Sequence, residues 1–434
     1  MTKKEKIVII GAGSLQFGLG SVGSIINSDI LQGSTICLHD INATNLELIS
    51  QVCNEAIEIK KLDFELEATT ERKKALNSAT FIINSIEVGP RFKWFELDYQ
   101  IPRNFGNKQV FGENGGPGGL FHSLRVIPPN LEICEDVNKM CPNAFFINFS
   151  NPMSRICLAI KRKFPSLKFV GLCHEFQDFV HHYSKILETS PTNLKLKAGG
   201  LNHFGVLLEV KYLDKNRDAY PDLRKKAPRY LSNLKGFAGD VDLIKYILEK
   251  FGYIPYTLDS HYGEYISWAW ERANIEGIRY FYEEYKKIIL STGKKLQKMI
   301  ERGKGAKLIK PDSERAIPII EGIITDSNHE EHSVNLPNNN VITNLPHDLV
   351  VECPAIVNKN GMQAIKLGEY PKGLAALLRN QASVQDLVVD AILKNSKEIA
   401  FQALLLDPTI DDTSKAEEMF NEMIKINKDY ITLK

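Results

Sequence analysis

The sequence predicts an α/β protein in two parts: a doubly wound, mostly parallel sheet followed by a second, α+β domain. Three observations point there. Short β-branched or apolar runs alternate with helical patterns through the first half of the chain. A glycine turn follows the first run directly, and an acidic residue closes the second. The chain has 434 residues, long for one hydrophobic core and comfortable for two. The expected division is 1–195 and 196–434.

The first run, "KIVII" at 6–10, is continuous and β-branched, as a strand buried on both faces should be. It leads into "GAGSLQFG", where Gly11 and Gly13 permit a tight turn and close backbone approach. A helix to about residue 28 then offers free N–H groups to a pyrophosphate. "STICLHD" reads as the next strand, ending in Asp40, the usual partner of a ribose 2′-hydroxyl. NAD is therefore favoured over NADP, with Gly11, Gly13, Ser14, Phe17 and Asp40 as cofactor contacts. The pattern departs from the usual dinucleotide fingerprint at Gln16, where glycine is expected.

The alternation continues with strands in "ATFIINSI" (79–86), "AFFINFSNP" (144–152) and "LKFVGLC" (167–173). Helical patterns at 42–60, 123–140 and 152–163 separate them. The result is a Rossmann-like sheet, in which ligands gather at the carboxyl ends of strands. Asn84, Asn148, Asn151 and Cys173 lie at such ends, so Asn84 and Asn148 join the expected cofactor site. The second half opens with strand patterns over 197–213. Helical stretches at 240–251, 262–304 and 374–404 follow, with a polar surface loop at 301–316.

Composition excludes several classes. A formal net charge of +1 gives no general attraction to nucleic acid or an anionic membrane. No apolar run approaches the roughly 18–20 residues of a membrane span. The apolar run after "MTKKEK" is too short for a signal peptide and lacks a small-residue cleavage site. Seven scattered cysteines form neither a disulfide framework nor a zinc motif. A cytoplasmic protein with reduced thiols is the expectation.

Two stretches carry chemistry. "FGENGGPGGLFHS" (111–123) holds five glycines and a proline between 112 and 119, with Glu113 as the one ionisable group among those residues. It reads either as a flexible surface loop or as backbone that approaches a ligand. "GLCHEFQD" (171–178) ends a strand with adjacent Cys173 and His174, whose side chains point apart on extended backbone. His203, in "KAGGLNHFGVLLEV", is the candidate partner. Cys173 and His203 suit a divalent metal with two protein ligands, or else a buried thiol and an interior histidine.

These segments, in this order, resemble glycoside hydrolase family 4: "GAGSLQF", "GPGG" after Glu113, "NFSNP", "GLCHE" and "GLNHFG", then "VNLPNNNVITNLPHDLVVECPAIVNKNG" at 334–361. The likeness runs from about residue 6 to 410. It implies NAD, a divalent cation such as Mn²⁺, and a second domain like that of lactate or malate dehydrogenase. It also implies that Cys173 and His203 are the metal ligands.

The resemblance further implies cleavage by transient oxidation at sugar C3, deprotonation at C2, loss of the C1 substituent and addition of water. Asp259, within "GYIPYTLDSHYGEYISW", is the expected C2 base, with Tyr256 and Tyr262 as rivals. Asp259 as a helix N-cap is the competing reading. Glu113 is expected to assist the leaving group, and Asn151 to bind sugar hydroxyls. Phosphosugar members usually carry Asn or Asp after the cysteine and proline two places later; this chain has His174 and Phe176. Cys-His-Glu looks closest to the α-uronidase branch, so an α-galacturonidase or α-glucuronidase is expected. His174, His261 or Arg272 would then meet the substrate carboxylate. α-Galactosidase or α-glucosidase activity is the alternative within the family. A 2-hydroxy-acid type of NAD-dependent dehydrogenase is the alternative outside it. A homodimer or homotetramer is expected by analogy with relatives.

Overall fold

A computed structural model describes residues 4–14 and 18–434. Among them, twelve strands form one sheet. The parallel part comprises β1 (Lys6–Ile10), β2 (Thr35–His39), β3 (Glu65–Thr69), β4 (Phe81–Asn84), β5 (Phe145–Asn148) and β6 (Lys168–Gly171). Their spatial order is β3-β2-β1-β4-β5-β6. This is the doubly wound order whose reversal point lies between the first and fourth strands.

The β-branched runs form central strands because both faces of the sheet are covered. Ile7 and Ile9 enter one hydrophobic core, while Val8 and Ile10 enter the core on the opposite face. Phe145 and Ile147 against Phe146 repeat that division. Polar β3 ("ELEAT") is the exception. It is an edge strand with exposed residues, so it lacks the apolar run that announces its neighbours.

The second half extends the same sheet with antiparallel strands. These are β7 (Leu194–Leu201), β8 (Phe204–Tyr212), β9 (Arg217–Asp218), β10 (His329–Pro337), β11 (Val350–Asn358) and β12 (Gly361–Ala364). β10 lies beside β6, with Asn335 opposite Gly171, and β11 lies between β10 and β7. Position 195/196 falls inside β7. The antiparallel unit therefore brings the β7–β8 hairpin towards the carboxyl end of β6, which is where Cys173 follows.

Several helices differ from expectation. The helix expected at 123–140 begins at Gly116 and runs to Met140, so "GPGG" is its first turn. The stretch 262–304 is one long helix only from Ile275 to Glu301; before it come the short helical segments Asp259–Tyr262, Gly263–Tyr265 and Ala269–Arg272. The stretch 374–404 is two helices, Lys372–Leu393 and Lys397–Leu406, because Ser396 caps the second through the Ile399 N–H. No helix among the described residues is long and apolar enough to cross a membrane.

Candidate active site

The glycine turn after β1 has the geometry that its sequence suggests. Gly11 has φ +84°, and a Cβ there would lie 2.8 Å from the Ser85 carbonyl oxygen. A Cβ on Gly13 would lie 2.8 Å from the Asp40 carboxylate. The Gly13 N–H donates to Asp40 Oδ2 (2.8 Å), and the Asn42 N–H donates to Oδ1 (2.8 Å). Each carboxylate oxygen keeps a further lone pair, so Asp40 can still accept a ribose hydroxyl. The Ser14 N–H closes the turn on the Gly11 carbonyl (3.0 Å). Phe17 lies outside the described residues.

Asn84 and Asn148 sit differently from expectation. Both are fully buried at the ends of β4 and β5. Asn84 Nδ2 donates to Asn130 Oδ1 (2.7 Å) and Asn148 Oδ1 (2.9 Å), while Asn148 Nδ2 donates to the Ser150 carbonyl (3.0 Å). Their amides bind the strand ends to each other. Only Asn84 Oδ1 has no partner.

Cys173 and His203 do meet. Cys173 Sγ lies 3.2 Å from His203 Nε2. His203 stands at the β7–β8 turn with φ +60°, a left-handed conformation that turns its ring towards the strand end. Its other nitrogen, Nδ1, is 3.2 Å from Asn114 Nδ2, which fixes the ring plane. The His261 ring stacks on it, with centroids 4.5 Å apart. Glu175, His203 and His261 each present a ligand atom within 4.8 Å of the others. Two imidazoles and a carboxylate thus converge from three separate segments, and Cys173 Sγ meets them at His203.

Burial sets the electrostatics. It holds His203 neutral, well below the usual histidine range, aided by the nearby His261 and His174 rings. It also pushes the Cys173 thiol well above its usual range, as do the carboxylates of Glu352 and Glu175. In His261 burial opposes the charge, but Glu264, Glu175 and Glu113 raise its pKa to about 9. Glu352 lies behind the cluster, holding Asn202 Nδ2 (2.9 Å), and burial pushes its carboxyl up to about 7.

The glycine-rich stretch builds the opposite wall. Glu264 Oε2 accepts from the Asn114 N–H (2.6 Å) and the Gly115 N–H (3.0 Å). A Cβ on Gly115 would lie 2.4 Å from the Glu264 carbonyl oxygen, so only glycine allows this approach. The glycines therefore serve close backbone packing in a buried turn, unlike a flexible surface loop. Glu113 is consequently fixed: Oε1 is 3.1 Å from Arg91 Nη2, and Oε2 is 3.4 Å from Asn114 Nδ2. Asn151 is half-buried at the start of the helix Met153–Lys163 and forms no side-chain hydrogen bond with the described residues.

Two expectations are corrected by the geometry. Asp259 is fully buried, and its carboxylate accepts three backbone N–H groups, those of Leu243, Ile244 and Asn274, each at 3.0 Å. Its carboxylate caps the helix Asp242–Phe251 and anchors the start of Ile275–Glu301, so it does not N-cap the short helix Asp259–Tyr262 that it opens. Arg272 is exposed and stacks on Tyr246 (4.7 Å), away from the cluster. His174 flanks the site, but its Nδ1 is already 3.4 Å from Glu314 Oε1.

Tyr256 is buried beside the cluster, its hydroxyl without a partner and against Gly205. The charges of Cys173 and Glu352 act on its phenol. Tyr262 packs on Phe204 (4.9 Å), and its titration answers to burial and to Tyr220 alone. Sequence reasoning missed Asn114, Glu175, Glu264, Tyr265, Glu352 and Arg155. Tyr265 lies among Glu264, Arg155, Glu113 and Cys173, whose charges all act on its phenol. Arg155 is buried, donates to Ser123 Oγ (2.9 Å), and leaves Nε and Nη2 unpartnered. The signal in the sequence was an arginine four residues after Asn151, immediately before the apolar helical run "ICLAI".

Comparison with known proteins settles the relationship. The family 4 glycosyl hydrolase model matches residues 6–189, and the model of that family's C-terminal domain matches 198–410. The chain belongs to glycosyl hydrolase family 4. It is a glycosidase. An alpha-glucosidase of Erwinia rhapontici is 43% identical, with 96% of this chain and 97% of that protein covered. An alpha-galacturonidase of Thermoanaerobacter italicus is 28% identical over 98% and 97%. Among solved structures, a 6-phospho-alpha-glucosidase from gut microorganisms in complex with NAD and Mn²⁺ superposes with a TM-score of 0.84. That pair shares 23% identity over the whole of both chains, a likeness of fold.

Proposed function

We propose that this family 4 enzyme is an NAD- and divalent-metal-dependent α-glycosidase that acts on unphosphorylated α-glucosides. The observation that carries the reading is the convergence of Cys173 Sγ and His203 Nε2 at 3.2 Å, with Glu175 and His261 beside them. The donor set fits a divalent cation: one sulfur, neutral imidazole and carboxylate, with Asn114 orienting the His203 ring. The turn at Gly11 and Gly13, with Asp40 at the end of β2, fits NAD. Together the two groups would supply reversible hydride removal at sugar C3 and polarisation of the adjoining oxygens.

The chain's own residues account for positioning and proton transfer. Asn151 has a free amide to hold sugar hydroxyls. Glu113, held by Arg91 and Asn114, stands where it can hold the proton for the departing oxygen. With Asp259 committed to backbone N–H groups, the C2 proton falls to the Tyr265 phenol. Burial raises the pKa of that group, as do Glu264, Glu113 and Cys173, and the Arg155 guanidinium, which has no counterpart at Tyr256, opposes the rise by favouring the phenolate. Tyr256 faces Glu352 and Cys173, which both disfavour its ionisation.

The sugar preference differs from the uronide expected from Cys-His-Glu. The relative at 43% identity is an alpha-glucosidase, while the alpha-galacturonidase stands at 28%. The charge pattern agrees. Glu113, Glu175, Glu264 and Glu352 surround the site, and the expected carboxylate partners are Glu-paired (His174, His261) or remote (Arg272). None of these three candidates offers a substrate carboxylate an unpaired cation beside the cluster.

The test is turnover with NAD, Mn²⁺ and a reductant on α-glucosides, α-galactosides, α-galacturonides and their 6-phosphates. Many α-glucoside turnovers per NAD, lost on chelation, are expected. NADH accumulating one-for-one with an oxidised product would contradict the glycosidase cycle, and preferential cleavage of galacturonides would restore the uronide reading.

A further inference from the structure

A line of aromatic rings leads from the site to the surface. Phe111 meets His261 edge-on, with centroids 5.2 Å apart, and lies 6.2 Å from Phe281 on the helix Ile275–Glu301. Phe281 in turn stacks on Tyr285 (6.2 Å, 16° between planes) and packs against Phe237 at 4.6 Å. Phe237 is 45% exposed. A second link joins this line to the reacting region: Arg91 pairs with Glu113 and also stands over the Tyr285 ring at 5.3 Å.

Single exposed phenylalanines are common and need no explanation. This one terminates a connected path whose inner end touches His261 and whose flank touches the Arg91–Glu113 pair. A bound glycoside places its leaving group beside the acid that protonates it, so the leaving group emerges next to Glu113. We infer that Phe237, Phe281 and Tyr285 form a leaving-group subsite that takes the flat apolar face of a ring, either a second pyranose or an aryl aglycone. The inference rests on the glycosidase reading. It deepens that reading by assigning recognition of the aglycone to the helix Ile275–Glu301 and the Phe237 turn. Aromatic side chains suit the task because they offer rigid area at low entropic cost and a face that C–H groups and rings pack against.

The test compares substrates that differ only in the leaving group. kcat/KM is measured for maltose, 4-nitrophenyl α-glucoside and α-glucosyl fluoride with the wild-type enzyme, Phe237→Ala and Phe237→Trp. The ratio of maltose to fluoride, or of aryl glucoside to fluoride, is expected to fall about five- to tenfold in Phe237→Ala. It is expected to recover in Phe237→Trp, which keeps an aromatic face. A fall for maltose alone identifies a sugar subsite, and a fall for the aryl glucoside alone identifies an aryl one. Ratios unchanged for both overturn the inference. Should the wild type cleave none of the three, the α-glucosidase reading fails, and calorimetry then decides the subsite separately. Phe237→Ala must weaken maltose more than glucose, and equal weakening overturns the inference.

Discussion

Cys173, half-buried, and Asp259, fully buried, both stand at points where the chain turns, and both invite a catalytic reading. Their surroundings differ. Every lone-pair direction that matters at Asp259 is met by backbone N–H groups, which come from two helices that it fastens together. Cys173 faces the His203 imidazole nitrogen at 3.2 Å, and that imidazole belongs to a cluster with Glu175 and His261, donor types that suit a divalent metal. Burial alone therefore does not identify chemistry. Saturation of partners marks a structural group, and convergence of unsaturated donors marks a reactive one.

The sharpest way to break this contrast is to exchange the two outcomes. Cys173→Ser is expected to lower kcat on the order of 10³-fold while the thermal midpoint stays close to that of the wild type. Asp259→Ala is expected to do the reverse, as set out below. An inactive but stable Asp259→Ala, together with an active Cys173→Ser, would invert the assignment.

Tyr265→Phe comes next in size. Loss of the phenol should reduce turnover about 10²-fold or more, and stop exchange of the substrate C2 proton with deuterated solvent, read by NMR. Tyr256→Phe should leave that exchange largely intact. Persistence of exchange in Tyr265→Phe would place the base elsewhere.

Asp259→Ala removes acceptors from three buried backbone donors and should cost about 2–4 kcal/mol of stability, measured by denaturant unfolding. The folded fraction should keep kcat within a few-fold of wild type. A stability close to wild type would show that the cap is dispensable.

The smallest expected effect concerns the ion pair behind Glu113. The His122 Nδ1–H donates to the Glu113 carbonyl oxygen (2.8 Å), and Nε2 lies 3.4 Å from Glu87. Burial opposes its charge, but Glu87 raises its pKa above the usual 6.5. Glu87 also works against burial and is lowered from 4.5 to about 2, chiefly by His122. The histidine's contribution is complete below 6.5 and is lost as pH rises through its raised value. The glutamate's contribution is complete above 4.5 and is lost as pH falls towards 2. Both are present between those limits. There, His122→Gln should lose about 1 kcal/mol, reduced for the part-exposed Glu87, and the deficit should shrink above pH 7. A deficit independent of pH would mean that the two are not an ion pair.

Much of the parallel sheet was legible because its strands are buried on both faces and so read as unbroken apolar runs. β3 was not, since an edge strand with exposed glutamates carries no such run. Cys173 and His203 were legible as a pair only through the order of several motifs; spacing alone does not bring residues 173 and 203 together. The β7–β8 hairpin does, by placing His203 at its turn. Glu175, Glu264 and Asn114 escaped notice because their roles depend on contacts between distant segments. Glu264 reaches residues 114 and 115 only once the glycines let the backbones approach. Asp259 misled for the opposite reason: a carboxylate near tyrosines in a family segment looks catalytic until its N–H partners are seen.

Titration of the apoprotein with Co²⁺ tests the central claim most directly, because a cobalt–thiolate bond gives a charge-transfer band that oxygen and nitrogen ligands do not. Wild-type protein should develop that band to one equivalent, and Cys173→Ser should lack it while folding normally. A wild-type protein that binds Co²⁺ without the band would remove Cys173 from the metal site and leave Glu175, His203 and His261 to hold it.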